Sequence, residues 1–348
     1  MEETCGSGFI SRALNLTFIA LIPKKSKPTT FNDYRPISLY NFIYKIISKI
    51  IVERIKPLLA DVITMEEFGF IPHKQILDAV GLAQEGIHTI KTHKLQAALL
   101  KLDLVKAYDK IDWVYLRLLL VHIGLEHGMV SWIMACVENF KFLVLVNGAP
   151  TRFFQSQRGL RQGWPVSPLL FILVMDGMSR MIGVAKRGGS LQGVKVSHSI
   201  HLTHVFFVDD VLLFGVNTLE EWPRFHEIIS IFCLATGMVI SINKSNFIVA
   251  EGKIEPSVEE LFAIEVIQLE KGFQYLGFKL KPNCYKLPDW VWLWDRVDKK
   301  IDMWCYRYLS LGGRLTLAKS VLESIPVYWL SLFKVPSSIS VGLRRRVT

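Results

Sequence analysis

Val205-Phe206-Phe207-Val208-Asp209-Asp210-Val211-Leu212-Leu213-Phe214 sets two apolar runs on either side of a pair of aspartates. Short runs rich in β-branched and aromatic residues read as strands, and two of them around a two-residue acidic turn predict a tight hairpin. Farther toward the N-terminus, the β-like run from Ala97 to Leu104 contains Asp103 directly after Ala98-Leu99-Leu100-Lys101-Leu102. Carboxylates beside buried strands cost several kcal/mol to desolvate unless a cation or hydrogen bonds compensate. Clustered carboxylates also repel each other unless a divalent ion neutralises them. Magnesium takes hard oxygen ligands, and two such ions stabilise the attacking and leaving oxygens of phosphoryl transfer. Taken singly, Asp209-Asp210 is an ordinary solvated hairpin tip and Asp103 a helix cap before the turn at Lys106 to Asp109. Taken together they point to two-metal chemistry, with nucleases and other two-metal enzymes all open at this stage.

Around this centre the pattern mixes strands and helices without regular alternation. A strand from Phe18 to Pro23 runs into Lys24-Lys25-Ser26-Lys27, and a helix is expected from about Asn41 to Leu59. Further helices are expected at Trp113 to Ile123, Val166 to Lys186, Thr218 to Ala235, Trp290 to Leu309 and Arg314 to Ser324. Pro223 fits only if it lies in a first turn. Lys141 to Val146 and Phe153-Phe154 read as strands around the Asn147-Gly148 turn, and Phe247 to Val249 and Tyr275 to Leu280 as further strands. The fold class expected from this mixture is α+β rather than a doubly wound sheet.

Charge and composition narrow the partners. Of 348 residues 51% are hydrophobic, which excludes wholesale disorder, and 41 Lys+Arg against 31 Asp+Glu leave a net +10. That surplus favours a polyanion, either nucleic acid or an anionic membrane face. The apolar run Leu169 to Met175 stops at Asp176, and Val114 to Val137 is broken by Arg117, His122, Glu126 and His127. Neither supplies the roughly 18 uninterrupted apolar residues of a spanning helix. With no signal layout at the N-terminus either, the expectation is an intracellular, non-secreted protein of the nucleus or cytoplasm without a membrane partner. The five cysteines, Cys5, Cys136, Cys233, Cys284 and Cys305, have no zinc or redox spacing and are expected to be reduced core thiols. His198, His201 and His204 recur every third residue but would not share a face in a strand.

Leu102-Asp103-Leu104-Val105-Lys106-Ala107-Tyr108-Asp109 and Phe207-Val208-Asp209-Asp210 resemble the catalytic motifs of reverse transcriptases. The segment Arg158-Gly159-Leu160-Arg161-Gln162-Gly163-Trp164-Pro165-Val166-Ser167-Pro168 resembles the motif between them in plant LINE-type, non-LTR retrotransposons. The order is also that family's: Phe31 to Leu39, Gly69 to Ala79, the three above, Thr236-Gly237-Met238 through Asn243-Lys244-Ser245, Tyr275-Leu276-Gly277, and Leu309 to Tyr328.

The resemblance implies a right-hand polymerase fold: fingers at 1–95, a palm with an antiparallel sheet at 96–282 and a partial helical thumb at 283–348. It implies an RNA-directed DNA polymerase that extends a DNA primer on an RNA template with dNTPs. Asp103, Asp209, Asp210 and the Leu104 carbonyl would hold two Mg²⁺ ions, with Mn²⁺ a possible substitute. Tyr108 would be the gate against a ribose 2′-hydroxyl, and Gln162-Gly163 would approach nucleotide and template. Arg35 and Lys74 would hold the triphosphate, Lys244 would protonate pyrophosphate, and Phe273 to Gly277 would grip the primer. An endonuclease domain is expected elsewhere, and the chain reads as a fragment of a longer polyprotein. Departures are His73-Lys74 where the family has Gly-Arg, Trp164 and Val166 where it has Cys and Leu, and Pro223. The Trp164 ring is expected beside the nucleotide pocket. Trp164, His73 and the truncated ends support the alternative, an inactive retrotransposon remnant that only binds nucleic acid.

Overall fold

The computed structural model describes residues 16–138, 140–146, 149–218, 220–250, 255–303 and 310–347. The Asn147-Gly148 turn, Cys5, Cys305 and the far end of the helix expected to reach Leu309 lie outside them.

A five-stranded sheet organises the molecule, in the order Glu265–Gln268, Asn246–Val249, Ala97–Leu102, Asp210–Val216, His204–Phe207. Neighbours are antiparallel except the outer pair Asn246–Val249 and Glu265–Gln268, which runs parallel. Side chains alternate across a strand, so the continuous apolar run at Ala97–Leu102 serves two cores at once. Ala98, Leu100 and Leu102 face helices Phe42–Val62, Trp113–His122, Ser167–Arg187 and Glu221–Thr236. Ala97 and Leu99 face helix Ile76–Thr92 and the C-terminal Trp290, Leu293 and Val297. Each fully buried Leu or Phe in these layers contributes roughly 1.5–3 kcal/mol. A second sheet places Leu16–Pro23 between Tyr34–Tyr40, antiparallel, and Lys141–Val146, parallel.

Local signals set the element ends. The Asn41 side chain accepts the Ile43 amide to open Phe42–Val62, and Asp112 accepts the Val114 and Tyr115 amides to open Trp113–His122. Pro168 starts Ser167–Arg187, and Pro223 does fall in the first turn of Glu221–Thr236. Helix Ser167–Arg187 has the length and composition to cross a bilayer, but 67% of its apolar window is buried inside the protein.

Several expectations change. Tyr275 to Leu280 is not one strand but a hairpin, Phe273–Tyr275 against Phe278–Leu280. Its turn residues Leu276 and Gly277 both have positive φ, 48° and 80°. The helix expected from Arg314 to Ser324 is instead Leu311–Leu317 followed by a π turn, Ala318–Leu322. Cys136 is buried, but Cys284 is exposed and therefore not a core thiol.

Candidate active site

The central hairpin pairs Phe207 with Asp210, so its two turn residues are Val208 and Asp209, while Asp210 begins the next strand. The turn is thus one residue earlier than the acidic pair suggested. Val208 sits in the left-handed region at φ 59°, a conformation that sterically penalises a β-branched side chain. On the other side, Val211 pairs with Leu102 in an antiparallel register. Continuing that register by one residue sets Asp210 across from Asp103, at the same end of the sheet as Asp209. Directly opposed like charges in a sheet are destabilising.

The electrostatics agree. The half-buried Asp210 is pushed up to about 6, first by burial, then by Asp209, with Asp103 adding to it and Lys101 opposing. Asp209 is raised by lost hydration and by Asp103, while its own amide and Arg35 oppose the shift. Its carboxylate meets solvent at the hairpin tip, so Asp210 is the better witness to the repulsion. Asp103 Oδ1 lies 3.9 Å from Lys244 Nζ, and both side chains reach water. Among the described residues no three acid, His or Cys side chains form a ready-made metal cage. The donors are nevertheless hard oxygens, and they hold the mutual repulsion that a divalent cation relieves, so the set fits such an ion.

Backbone contacts fix the strand end from which Asp103 projects. The Ser241 amide donates to Asp103 O (2.8 Å), the Val105 amide to Val239 O (2.8 Å) and the Asp103 amide to Ser245 Oγ (3.1 Å). Leu104 is buried and bridges to Ile240. Tyr108 stacks on Phe171 with centroids 4.4 Å apart, and burial followed by Asp209 raises its hydroxyl pKa. Its ring is therefore a packed aromatic whose hydroxyl feels the acidic turn. Gln162 hydrogen-bonds Asp109, and the Ser38 amide donates to Gln162 O (2.9 Å). Gly163 has φ +94°, and a Cβ there would sit 3.3 Å from the Tyr40 hydroxyl. Arg35 is exposed on Tyr34–Tyr40, within electrostatic reach of Asp209.

Two residues stand elsewhere than expected. Lys74 Nζ donates to three backbone carbonyls, Thr64 O (3.2 Å), Met65 O (2.9 Å) and Glu67 O (2.7 Å). An ammonium has three donors, so none remains for a triphosphate. Trp164 does not crowd a nucleotide pocket. Its ring is buried in the core, its indole N–H donates to Ser48 Oγ (2.6 Å), and Arg161 lies 5.2 Å from its centre. Sequence reasoning also missed Glu67, a fully buried acid whose Oε1 accepts the Val208 amide (3.1 Å) and the Gly69 amide (2.7 Å). Its apolar flank, Phe68-Gly69-Phe70, was the available signal.

The family model described as reverse transcriptase (RNA-dependent DNA polymerase) matches residues 22–280. The Transposon TX1 uncharacterized 149 kDa protein of Xenopus laevis is 26% identical, covering 100% of this chain and 26% of that protein. The Pol polyprotein of retrotransposable element R2DM from Drosophila melanogaster is 26% identical, covering 92% of this chain and 28% of that protein. The chain thus spans little more than a quarter of the length of these curated relatives. Among solved structures, telomerase from Candida tropicalis in complex with a TWJ fragment of telomeric RNA superimposes with a TM-score of 0.56 at 12% identity. That match covers 93% of this chain and 55% of the telomerase chain. The Candida albicans counterpart gives 0.56 at 11% identity, with 96% and 59% covered. At such identities the likeness concerns fold alone, and the fold is the right-hand polymerase fold. With its motifs in that order and R2 and TX1 elements among its relatives, this chain belongs to the reverse transcriptase (RNA-dependent DNA polymerase) family.

Proposed function

We propose that this chain is the polymerase portion of a plant LINE-type, non-LTR retrotransposon. In this reading it extends a DNA primer on an RNA template by adding deoxynucleotides to the 3′-hydroxyl. The observation that carries the reading is the strand register that sets Asp103 opposite Asp210, beside Asp209, inside the span of the family match. Asp103, Asp209 and Asp210, with the Leu104 carbonyl, would hold two divalent ions, Mg²⁺ or Mn²⁺. Bound there, the ions supply charge neutralisation at the attacking and leaving oxygens. The chain's own part is placement. Arg35 offers an exposed cation near Asp209 for phosphate oxygens, and Lys244 stands beside Asp103 to give a proton to the departing pyrophosphate. Tyr108, rigid against Phe171, excludes a ribose 2′-hydroxyl. Gln162 and Gly163 let the backbone approach nucleotide and template.

The division into fingers (1–95), palm (96–282) and partial thumb (283–348) belongs to the same proposal, as do action in the nucleus or cytoplasm and an endonuclease domain elsewhere in the element. The binding-only alternative loses one support, because Trp164 packs into the core instead of the pocket. Primer extension separates the two. The wild type is expected to extend a DNA primer on RNA with Mg²⁺, preferring dNTPs to NTPs. Asp209→Ala should lower the rate by about a thousandfold or more while leaving salt-sensitive template binding in place. A wild type that binds primer–template yet adds no nucleotide with either Mg²⁺ or Mn²⁺ would favour the remnant.

A further inference from the structure

The catalytic sheet does not end at His204–Phe207. Residues 66–69 run along its outer edge, with Glu67 bridged in parallel to Phe206. The Phe206 amide donates to Glu66 O (2.9 Å) and the Phe68 amide to Phe206 O (3.0 Å). From this edge the Glu67 carboxyl turns inward to the hairpin. Its Oε1 takes the amides of Val208 and Gly69, and among the described residues Oε2 has no hydrogen-bond partner. Burial pushes this carboxyl up to about 7.

The segment that carries Glu67 is held at several points. Lys74 clamps the carbonyls of Thr64, Met65 and Glu67. The Thr64 amide donates to Asp176 Oδ1 (2.8 Å), and the Thr64 hydroxyl meets Ser179 Oγ (2.6 Å), which meets His204 Nε2 (2.7 Å). The Arg180 guanidinium donates to Val62 O. Gly69 fits so closely over the turn that a Cβ there would lie 2.4 Å from Val208 Cγ2.

An edge that needed only filling would be served by an apolar side chain, since a buried acid with an unpartnered oxygen is unfavourable. Here the acid binds the amide of the one turn residue whose conformation its own side chain opposes. The Val208 amide lies at the entry to the turn that continues into Asp209 and Asp210, so anchoring it fixes the point from which that turn departs. We propose that Glu67, clamped from behind by Lys74, is a positioning residue of the polymerase site: by accepting the Val208 amide it holds the left-handed turn that presents Asp209 and Asp210. This deepens the polymerase reading and rests on it.

The test uses the full chain as wild type, Glu67→Gln, Glu67→Leu and Glu67→Leu/Val208→Gly. Glutamine keeps the acceptor oxygen, so kcat for primer extension should stay within about threefold of wild type. Leucine should lower kcat by about tenfold or more with the dNTP KM within about twofold, as expected for misplaced catalytic groups. Glycine adopts positive φ unaided, so the double variant should recover at least about a third of the lost kcat. Hydrogen exchange over residues 204–212 should lose protection at Val208 in Glu67→Leu and keep it in Glu67→Gln. Two results overturn the proposal: Glu67→Leu with unchanged kcat and unchanged Val208 protection, or a kcat loss that Val208→Gly leaves unrescued. A wild type that extends no primer defeats the polymerase reading instead, and the exchange measurement then still decides whether Glu67 holds the turn.

Discussion

The strand Asp210–Val216 has a buried glutamate at each end, and the two ends differ in kind. At the far end, Glu221 accepts the Gln192 (2.9 Å) and Gly193 (2.7 Å) amides on Oε1 and the Val216 amide (2.8 Å) on Oε2. Both its oxygens are used, and the backbone it holds carries no strain at Val216. At the near end, Glu67 holds a left-handed valine with one oxygen and, among the described residues, leaves the other without a hydrogen-bond partner, one residue before the mutually repelling Asp209 and Asp210. Local structure is satisfied where the sheet only has to be closed, and unfavourable terms gather where chemistry is expected. Deletions at the far end should therefore read out in stability, and deletions at the near end in rate.

The largest stability effect belongs to Glu221. Replacing it with Leu removes a charged acceptor from three amides, of which that of Gly193 is buried and those of Gln192 and Val216 partly so, so chemical denaturation should register a loss of about 3–5 kcal/mol, with the extension rate per folded molecule kept. A full-rate, full-stability variant would erase the contrast. Gly69→Ala comes next. Its Cβ must displace Val208 Cγ2, and overpacking of this kind should cost about 1–3 kcal/mol and slow extension as well. The third effect is one of pH. The Glu67 carboxyl titrates near 7 in the folded chain against an ordinary 4.5, so the native state favours its protonated form. The stability contributed by that protonated group is fully present below about pH 4.5 and is lost as pH rises through about 7, by at most about 3 kcal/mol. Glu67→Gln should flatten the stability profile across this window, and an unchanged profile would mean that the carboxyl titrates elsewhere.

The same contrast explains what could be read from the sequence. Strand Ala97–Leu102 and the Phe207–Asp210 hairpin were legible because long apolar runs bounded by acids leave few other options. The turn was misplaced by one residue because positive φ at Val208 carries no glycine or asparagine to announce it. Lys74 was read by its charge, but its partners are main-chain carbonyls, which have no sequence signature. Glu66-Glu67 looked like any solvated acidic pair, since burial of the second depends on an edge pairing with Phe206 far along the chain. Helix Ile76–Thr92 was readable from Ile76, Ala79, Val80, Ala83, Ile87 and Ile90, a spacing obscured by the motif residues at its start. Tyr275–Leu276–Gly277 carried a glycine at its turn, yet its lock lies outside the motif: the Tyr328 hydroxyl donates to Leu276 O (2.7 Å) and the Trp329 indole to Gly277 O (3.1 Å).

We propose that Asp103 and the Asp209-Asp210 turn act as one cation site although they lie far apart in the sequence. Mn²⁺ binding followed by electron paramagnetic resonance, with primer–template and dNTP present, tests it in the wild type and Asp103→Asn. Saturable binding in the wild type that weakens about tenfold or more in Asp103→Asn is the predicted result. Equal binding by the two proteins would contradict it.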